Sequence, residues 1–152
     1  MKIYLAGKFS IKKEIGQLGD ELEKYGIGIT TKWWDIEQKD AVNRSNEESI
    51  SVGTKELSGI VNADAVVAII DDKDYGYRGT LTELGIALGN FIEKGKCLKK
   101  SIFLVTGKDF TNKNCGVLCV PHVYLASIVN IIDTTDLSTR APQIVDMLKD
   151  SI

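Results

Sequence analysis

Ala65-Val-Val-Ala-Ile-Ile70 is apolar at every position, and Asp71-Asp-Lys-Asp-Tyr-Gly-Tyr-Arg-Gly-Thr-Leu-Thr-Glu-Leu-Gly-Ile-Ala-Leu-Gly89 follows it directly. A six-residue run without polar alternation fits a central parallel strand covered on both faces. The next residues crowd acidic, aromatic and glycine side chains with neither a helical nor a strand period. From Gly79-Thr80 a helix is predicted, with the apolar face Leu84, Ala87, Leu88, Phe91 and Ile92 and an end near Gly95. A buried strand, an irregular turn and a helix in this order are the building unit of an α/β fold.

The same alternation continues on both sides. Lys2 to Ala6 reads as a short buried strand ending in Gly7. Ile11, Ile15, Leu18, Leu22 and Tyr25 fall at helical spacing, and Gly26 closes that helix. Ile27 to Trp34 predicts a second strand, whose alternation turns Trp33 and Trp34 to opposite faces, one to the core and one to a crevice. Ser45-Asn-Glu-Glu48 has the form of a capping box and opens a helix carrying Ile50, Leu57, Ile60 and Val61. Ile102 to Val105 predicts a fourth strand and Gly107 to Pro121 a loop of functional length. Ile128 to Ile132 predicts a fifth strand, and Ala141 to Ile152 a closing helix with Pro142 in its first turn. Repeated alternation implies one domain over residues 1–152, a parallel sheet with helices on both faces and right-handed crossovers. Gly85 and Gly89 are expected to pack the third helix closely on the sheet, and Gly79 to permit an unusual backbone turn.

Composition excludes several classes. The 152 residues are 43% hydrophobic and 26% charged, enough apolar surface to offset chain entropy, so long disorder is excluded. A net charge of −2 leaves no electrostatic footprint for a nucleic acid polymer. No apolar run has the length of a bilayer span. The start, Met-Lys-Ile-Tyr-Leu-Ala-Gly, turns at once into a charged stretch, so a signal peptide is not expected. Cys97, Cys115 and Cys119 are then expected as reduced thiols of a cytoplasmic protein. His122 is the single histidine, so a structural zinc site is not expected. Asp71, Asp72 and Asp74 have the look of a divalent-metal cluster, but read as solvated loop carboxylates.

In such sheets ligands bind beyond the carboxyl ends of the strands, which directs attention to Gly7–Ser10, Lys32–Asp35 and Asp71–Glu83. The candidate binding residues there are Gly7, Trp33, Trp34, Asp71, Tyr77, Arg78 and Gly79. Arg78 fits a bidentate contact to phosphate or carboxylate and, equally, a solvated surface arginine. Tyr75 and Tyr77 fit either the flank of a ring or the edge of the core. Glu83 has two readings. Thr80-Leu-Thr-Glu83 is itself a capping-box pattern, in which the carboxylate binds only a backbone N–H. Its place in the first helical turn after the central strand also makes it a ligand-facing carboxylate, held ionised by the helix N-terminus. A positioned carboxylate is the nucleophile used against anomeric carbons.

Ile3-Tyr-Leu-Ala-Gly7, Glu56-Leu-Ser-Gly-Ile-Val-Asn-Ala-Asp64 and Tyr77-Arg-Gly-Thr-Leu-Thr-Glu-Leu-Gly-Ile-Ala-Leu-Gly89 together resemble the nucleoside 2-deoxyribosyltransferase family, which includes related deoxynucleoside monophosphate N-glycosidases. The most specific element is G-T-x-x-E-x-G-x-A joined to the preceding strand, and the similarity is weak beyond Val105. The resemblance implies a flavodoxin-like (Rossmann-like) three-layer sandwich with a five-stranded parallel sheet. It implies a double displacement with Glu83 as nucleophile, Tyr4 as the first-strand tyrosine and Glu56 as the acidic residue that orients the base. The family usually has Asp at the Glu56 position, one methylene shorter. Tyr77 falls where the family contacts the 5′ end of the sugar, and its bulk there favours nucleosides over monophosphates. Nucleosides or nucleotides and free nucleobases are the implied partners, without a membrane. No cofactor or metal is implied, and a homo-oligomer is. The expected reaction passes 2-deoxyribose to another nucleobase. Hydrolysis of a 2-deoxynucleoside 5′-monophosphate is the alternative, and a non-catalytic nucleotide-binding module with Glu83 as a mere cap is a third reading.

Overall fold

A computed structural model of the chain describes residues 1–36, 43–72, 74–107, 127–131 and 134–150. The apolar run Ala65–Ile70 is strand β3, and all six of its residues are buried. It lies between β1 (Lys2–Ala6) and β4 (Ile102–Gly107), with β2 (Gly28–Ile29) beyond β1 and β5 (Ser127–Ile131) beyond β4. The order is β2-β1-β3-β4-β5 and every pairing is parallel. Leu5 pairs with Val67 and Val67 with Phe103, so one buried row crosses the middle of the sheet.

Among the described residues four α-helices accompany the sheet: α1 (Lys12–Lys24), α2 (Asn46–Val61), α3 (Arg78–Glu93) and α4 (Ala141–Lys149). Right-handed crossovers put α1, which leads from β1 out to β2, on one face of the sheet. The same rule puts α2 and α3, which lead the other way, on the opposite face. Accordingly α1 packs beside α4, and α2 beside α3. This is the flavodoxin-like arrangement. The direction of winding reverses between β1 and β3, so the ligand crevice of such a fold lies beyond the carboxyl ends of those two strands. None of the described helices is long and apolar enough to cross a membrane.

Local signals set most elements where the sequence places them. The Ser45 hydroxyl accepts from the Glu48 N–H at 3.1 Å, and the Glu48 carboxylate accepts from the Ser45 N–H at 2.9 Å. That reciprocal pair satisfies two donors at the start of α2. Gly26 and Gly95 take positive φ, 80° and 65°, just past the ends of α1 and α3. β4 runs two residues beyond its predicted end, and β5 begins one residue before its predicted start. Of the predicted loop, residues 108–121 lie outside the described residues, as do Cys115, Cys119 and His122.

Three expectations are corrected. The strand predicted over Ile27–Trp34 keeps only Gly28–Ile29, and Trp33–Asp35 is a short 3-10 turn. The cause is long-range: the Trp33 indole N–H donates to the Leu5 carbonyl at 2.7 Å, which draws the ring into the core. Trp34 is therefore not its alternating opposite on a strand. It lies over Gly16 and Gly19 of α1, where an added Cβ would stand 3.0 and 2.9 Å from its ring. Gly85 and Gly89 do not pack on the sheet, since a Cβ at either would meet nothing within 4 Å. The sheet-facing residues of α3 are Leu84, Ala87 and Phe91, and both glycines lie off that face. Finally, Gly79 is an ordinary helical residue, and the unusual backbone belongs to Tyr77, with φ 43°.

Candidate active site

Tyr77 precedes the first residue of α3, and its left-handed backbone is uncommon for a bulky side chain. Its ring is 1% exposed. The hydroxyl donates to Asp71 Oδ1 at 2.5 Å and accepts from the Asp72 N–H at 2.9 Å. Tyr75 meets the ring edge-on at 4.8 Å. These contacts hold the conformation and fix where α3 begins.

Because α3 begins at Arg78, Glu83 lies in its second turn, not its first. The capping-box reading of Thr80 and Glu83 is therefore overturned: the cap is Tyr77, it makes no side-chain cap bond, and Thr80 is buried inside the helix. The Glu83 carboxylate is instead reached from β1. The hydroxyl of Tyr4, whose ring is fully buried, donates to Glu83 Oε1 at 2.6 Å. The expectation of a low pKa is overturned with it. Burial pushes Glu83 up to about 7; the Tyr4 hydrogen bond opposes this and the charge of Glu56 adds to it. The helix field fades beyond the first turn, and desolvation wins. Burial, then the Glu83 charge and hydrogen bond, raise the Tyr4 hydroxyl well above its ordinary value, so Tyr4 remains a donor.

Glu56 projects from α2. Gly59, one turn later, lets that helix close on β1: a Cβ there would collide with the Thr31 side chain and reach within 3.2 Å of the Tyr4 ring. Glu56 is half-buried, and burial raises its pKa against the opposing charge of Arg44.

Glu56 and Glu83 border two adjoining cavities. The first, of about 240 Å³, is lined by Gly7, Lys8, Phe9, Trp33, Tyr75, Tyr77, Arg78, Gly79 and Thr80 besides the two glutamates. The second, of about 390 Å³, lies between α2 and α3, shares Glu56, Glu83, Arg78 and Gly79, and has Leu57, Ile60 and Ile86 in its wall. Of the sequence candidates, the structure brings Glu83, Glu56, Gly7, Trp33, Tyr77, Arg78 and Gly79 to the cleft, with Tyr4 directly behind Glu83. Asp71 stands behind the wall, bound to Tyr77 and Lys8, and Trp34 is turned onto α1. Lys8 and Phe9, also in the wall, fall inside the Gly7–Ser10 segment without being candidates of their own. Their one sequence signal is position, just past the carboxyl end of β1. Among the described residues, no cluster of three or more His, Cys, Asp or Glu is placed to hold a metal ion.

No protein-family model matches the chain, and no curated protein matches its sequence. Among solved structures, the Clostridium botulinum CMP N-glycosidase BcmB matches it with a TM-score of 0.55 at 20% identity. The match covers 97% of this chain and 98% of that chain. The likeness is one of fold, and it extends over nearly the whole of both proteins.

Proposed function

We propose that the protein cleaves the N-glycosidic bond of nucleosides or nucleotides through a covalent bond between Glu83 and the sugar, and passes 2-deoxyribose to a second nucleobase. The observation that carries this reading is the Tyr4–Glu83 pair: a carboxylate withdrawn from water, aimed by a 2.6 Å hydrogen bond, at the reversal point of the sheet. A structural cap has no need of a partner on the central sheet. The shared fold with a CMP N-glycosidase supports the same chemistry.

The ionised Glu83 oxygen attacks the anomeric carbon as the carbon–nitrogen bond breaks. Positive charge that develops on the sugar is stabilised by the carboxylate beneath it. The departing base takes a proton from Glu56, whose raised pKa suits a donor. A second base, deprotonated by the Glu56 carboxylate, then attacks the same carbon and releases Glu83. Two easier displacements replace one hard one. Water in place of the second base makes the protein a hydrolase, the reading that the CMP N-glycosidase likeness favours. Incubation with a 2′-deoxynucleoside and a different free base separates the two: exchange supports transfer, and free sugar without exchange supports hydrolysis. No turnover of any purine or pyrimidine substrate, with or without a 5′-phosphate, refutes both.

Glu56→Ala is expected to lower kcat by about 10²–10⁴-fold, the usual worth of a positioned acid or base, with a smaller change in KM. Steady-state kinetics read this split; an equal loss in both marks Glu56 as a ground-state contact. The same reading includes a homo-oligomer. Ile50 and Leu57 on α2 and Ile92 on α3 are 68, 47 and 62% exposed, on the two helices that flank the second cavity. A second copy seated there would enclose it. A monomeric mass by sedimentation equilibrium would contradict that assembly.

A further inference from the structure

A third cavity, of about 810 Å³, lies between α2 and β2 and shares no residue with the two cavities of the active cleft. Its walls are the second half of α2, from Thr54 to Asn62, and the chain from Ile29 to Thr31, with Lys2 at the foot. The fold explains the opening. β2 is an edge strand of two residues that pairs with Lys2 and Ile3, at the start of β1. α2 closes on β1 at Gly59 and packs beside α3, so a groove is left between it and β2. Lys2 and Lys55 bring two positive charges to this groove, and no carboxylate lines it. Among the described residues neither lysine has an ion-pair partner. Asp64 accepts the Lys2 backbone N–H from outside the wall, and its other oxygen faces Lys96 at 3.8 Å. The hydroxyls of Thr30, Thr31 and Thr54 donate to the carbonyls of Ile3, Lys55 and Ile50, at 3.3, 3.2 and 2.7 Å. The Asn62 amide donates to the Ser58 carbonyl and hydroxyl, at 2.8 and 3.2 Å. What remains for a ligand is a set of acceptors, the three threonine oxygens and Asn62 Oδ1, beside two ammonium donors.

We infer that this groove is a second ligand site, separate from the active cleft, and that it takes a small phosphorylated sugar. A phosphate group suits two ammonium groups that no carboxylate of the wall answers. The hydroxyls of a sugar supply the hydrogens that the threonine and asparagine oxygens call for. Inorganic phosphate alone would leave those oxygens facing an anion, and a neutral sugar would leave the lysines unanswered. A nucleobase has nothing there to stack on: among the described residues no aromatic side chain lines the groove, and Ile29 is its one large apolar side chain. The volume admits a sugar monophosphate. The site requires no chemistry at Glu83, so it stands independently of the N-glycosidic reading.

The test is a titration of the isotope-labelled protein with ribose 5-phosphate, ribose, inorganic phosphate and AMP, followed through its backbone amide resonances. Ribose 5-phosphate is expected to give saturable shifts at Thr30, Thr31, Lys55, Ser58 and Gly59, without matching shifts at Gly7 and Gly79 of the active cleft. Its affinity should exceed that of ribose and that of inorganic phosphate by about tenfold or more, since each lacks one half of the contacts. Lys2→Ala and Lys55→Ala change exposed residues and should each weaken it by about twofold to fivefold, the worth of one charged contact at a surface. AMP carries the same ribose phosphate with a base attached, and should bind the groove no more tightly. Shifts confined to the active cleft, no saturable shift at all, or an affinity unmoved in both lysine variants overturns the inference. Inorganic phosphate as tight as ribose 5-phosphate reduces the groove to a bare anion contact, and AMP about tenfold tighter makes its ligand a nucleotide; either result refutes the assignment to a sugar phosphate.

Discussion

Glu83→Gln is expected to lower kcat/KM by more than about a thousandfold, the scale of losing a covalent nucleophile, while the thermal midpoint at pH 8 does not fall. Glutamine keeps the shape and leaves an amide oxygen for the Tyr4 hydroxyl, but it cannot form the glycosyl ester. The stability half follows from linkage. The Glu83 pKa is raised from 4.5 to about 7 in the folded state. The folded protein therefore holds that proton more tightly than the unfolded chain. Its contribution is fully present below about 4.5 and is lost as pH rises through about 7. At pH 8 the wild type bears the cost of a desolvated charge and the glutamine variant does not. Thermal melts of both proteins between pH 4 and 9 should diverge in the variant's favour over that window. A variant that melts earlier at every pH and still turns over would make Glu83 a structural residue.

Tyr4→Phe has the second largest expected effect, and its signature is in the pH profile. The ring of Tyr4 is fully buried and phenylalanine preserves its packing, so the change is confined to one hydroxyl. Since the Tyr4 hydrogen bond lowers the Glu83 pKa, its loss sends that pKa further up. A hydrogen bond to a charged group is worth about 1.5–3 kcal/mol, or about one to two pH units. In the wild type kcat/KM should be bell-shaped, because Glu56 must hold its proton while Glu83 has lost its own, with one limb near pH 7 where Glu83 titrates. In the variant the same limb should lie one to two units higher, with a loss of about 10–100-fold at pH 7 that shrinks in more alkaline buffer. A Glu83 limb that stays in place would show that Tyr4 does not hold the reacting carboxylate.

What the sequence disclosed and what it concealed divide along the range of the interactions. β3 was legible because six consecutive apolar residues carry their own signal, and the start of α2 was legible because a capping box is closed within four residues. The tryptophan pair was not, because the indole N–H of Trp33 reaches a carbonyl on β1, and that bond overrides the strand propensity of the segment. Glu83 shows both sides. Its residue type and place after the central strand marked it as a candidate, yet the local T-x-x-E pattern suggested a cap. Its real partner, Tyr4, is 79 residues away and leaves no local trace. Lys8 was marked only as part of the Gly7–Ser10 segment for the same reason, since an isolated lysine beyond a strand becomes informative only once Asp71 is seen beside it.

The covalent bond itself is the most direct test. The protein is mixed with a 2′-deoxynucleoside, quenched in acid within milliseconds to seconds, digested and read by mass spectrometry. The mass of a deoxyribosyl group is expected on the peptide that contains Glu83, to disappear on incubation with a free base or water, and to be absent from Glu83→Gln. Steady turnover with no sugar adduct at any quench time, or an adduct on a different residue, would contradict the account.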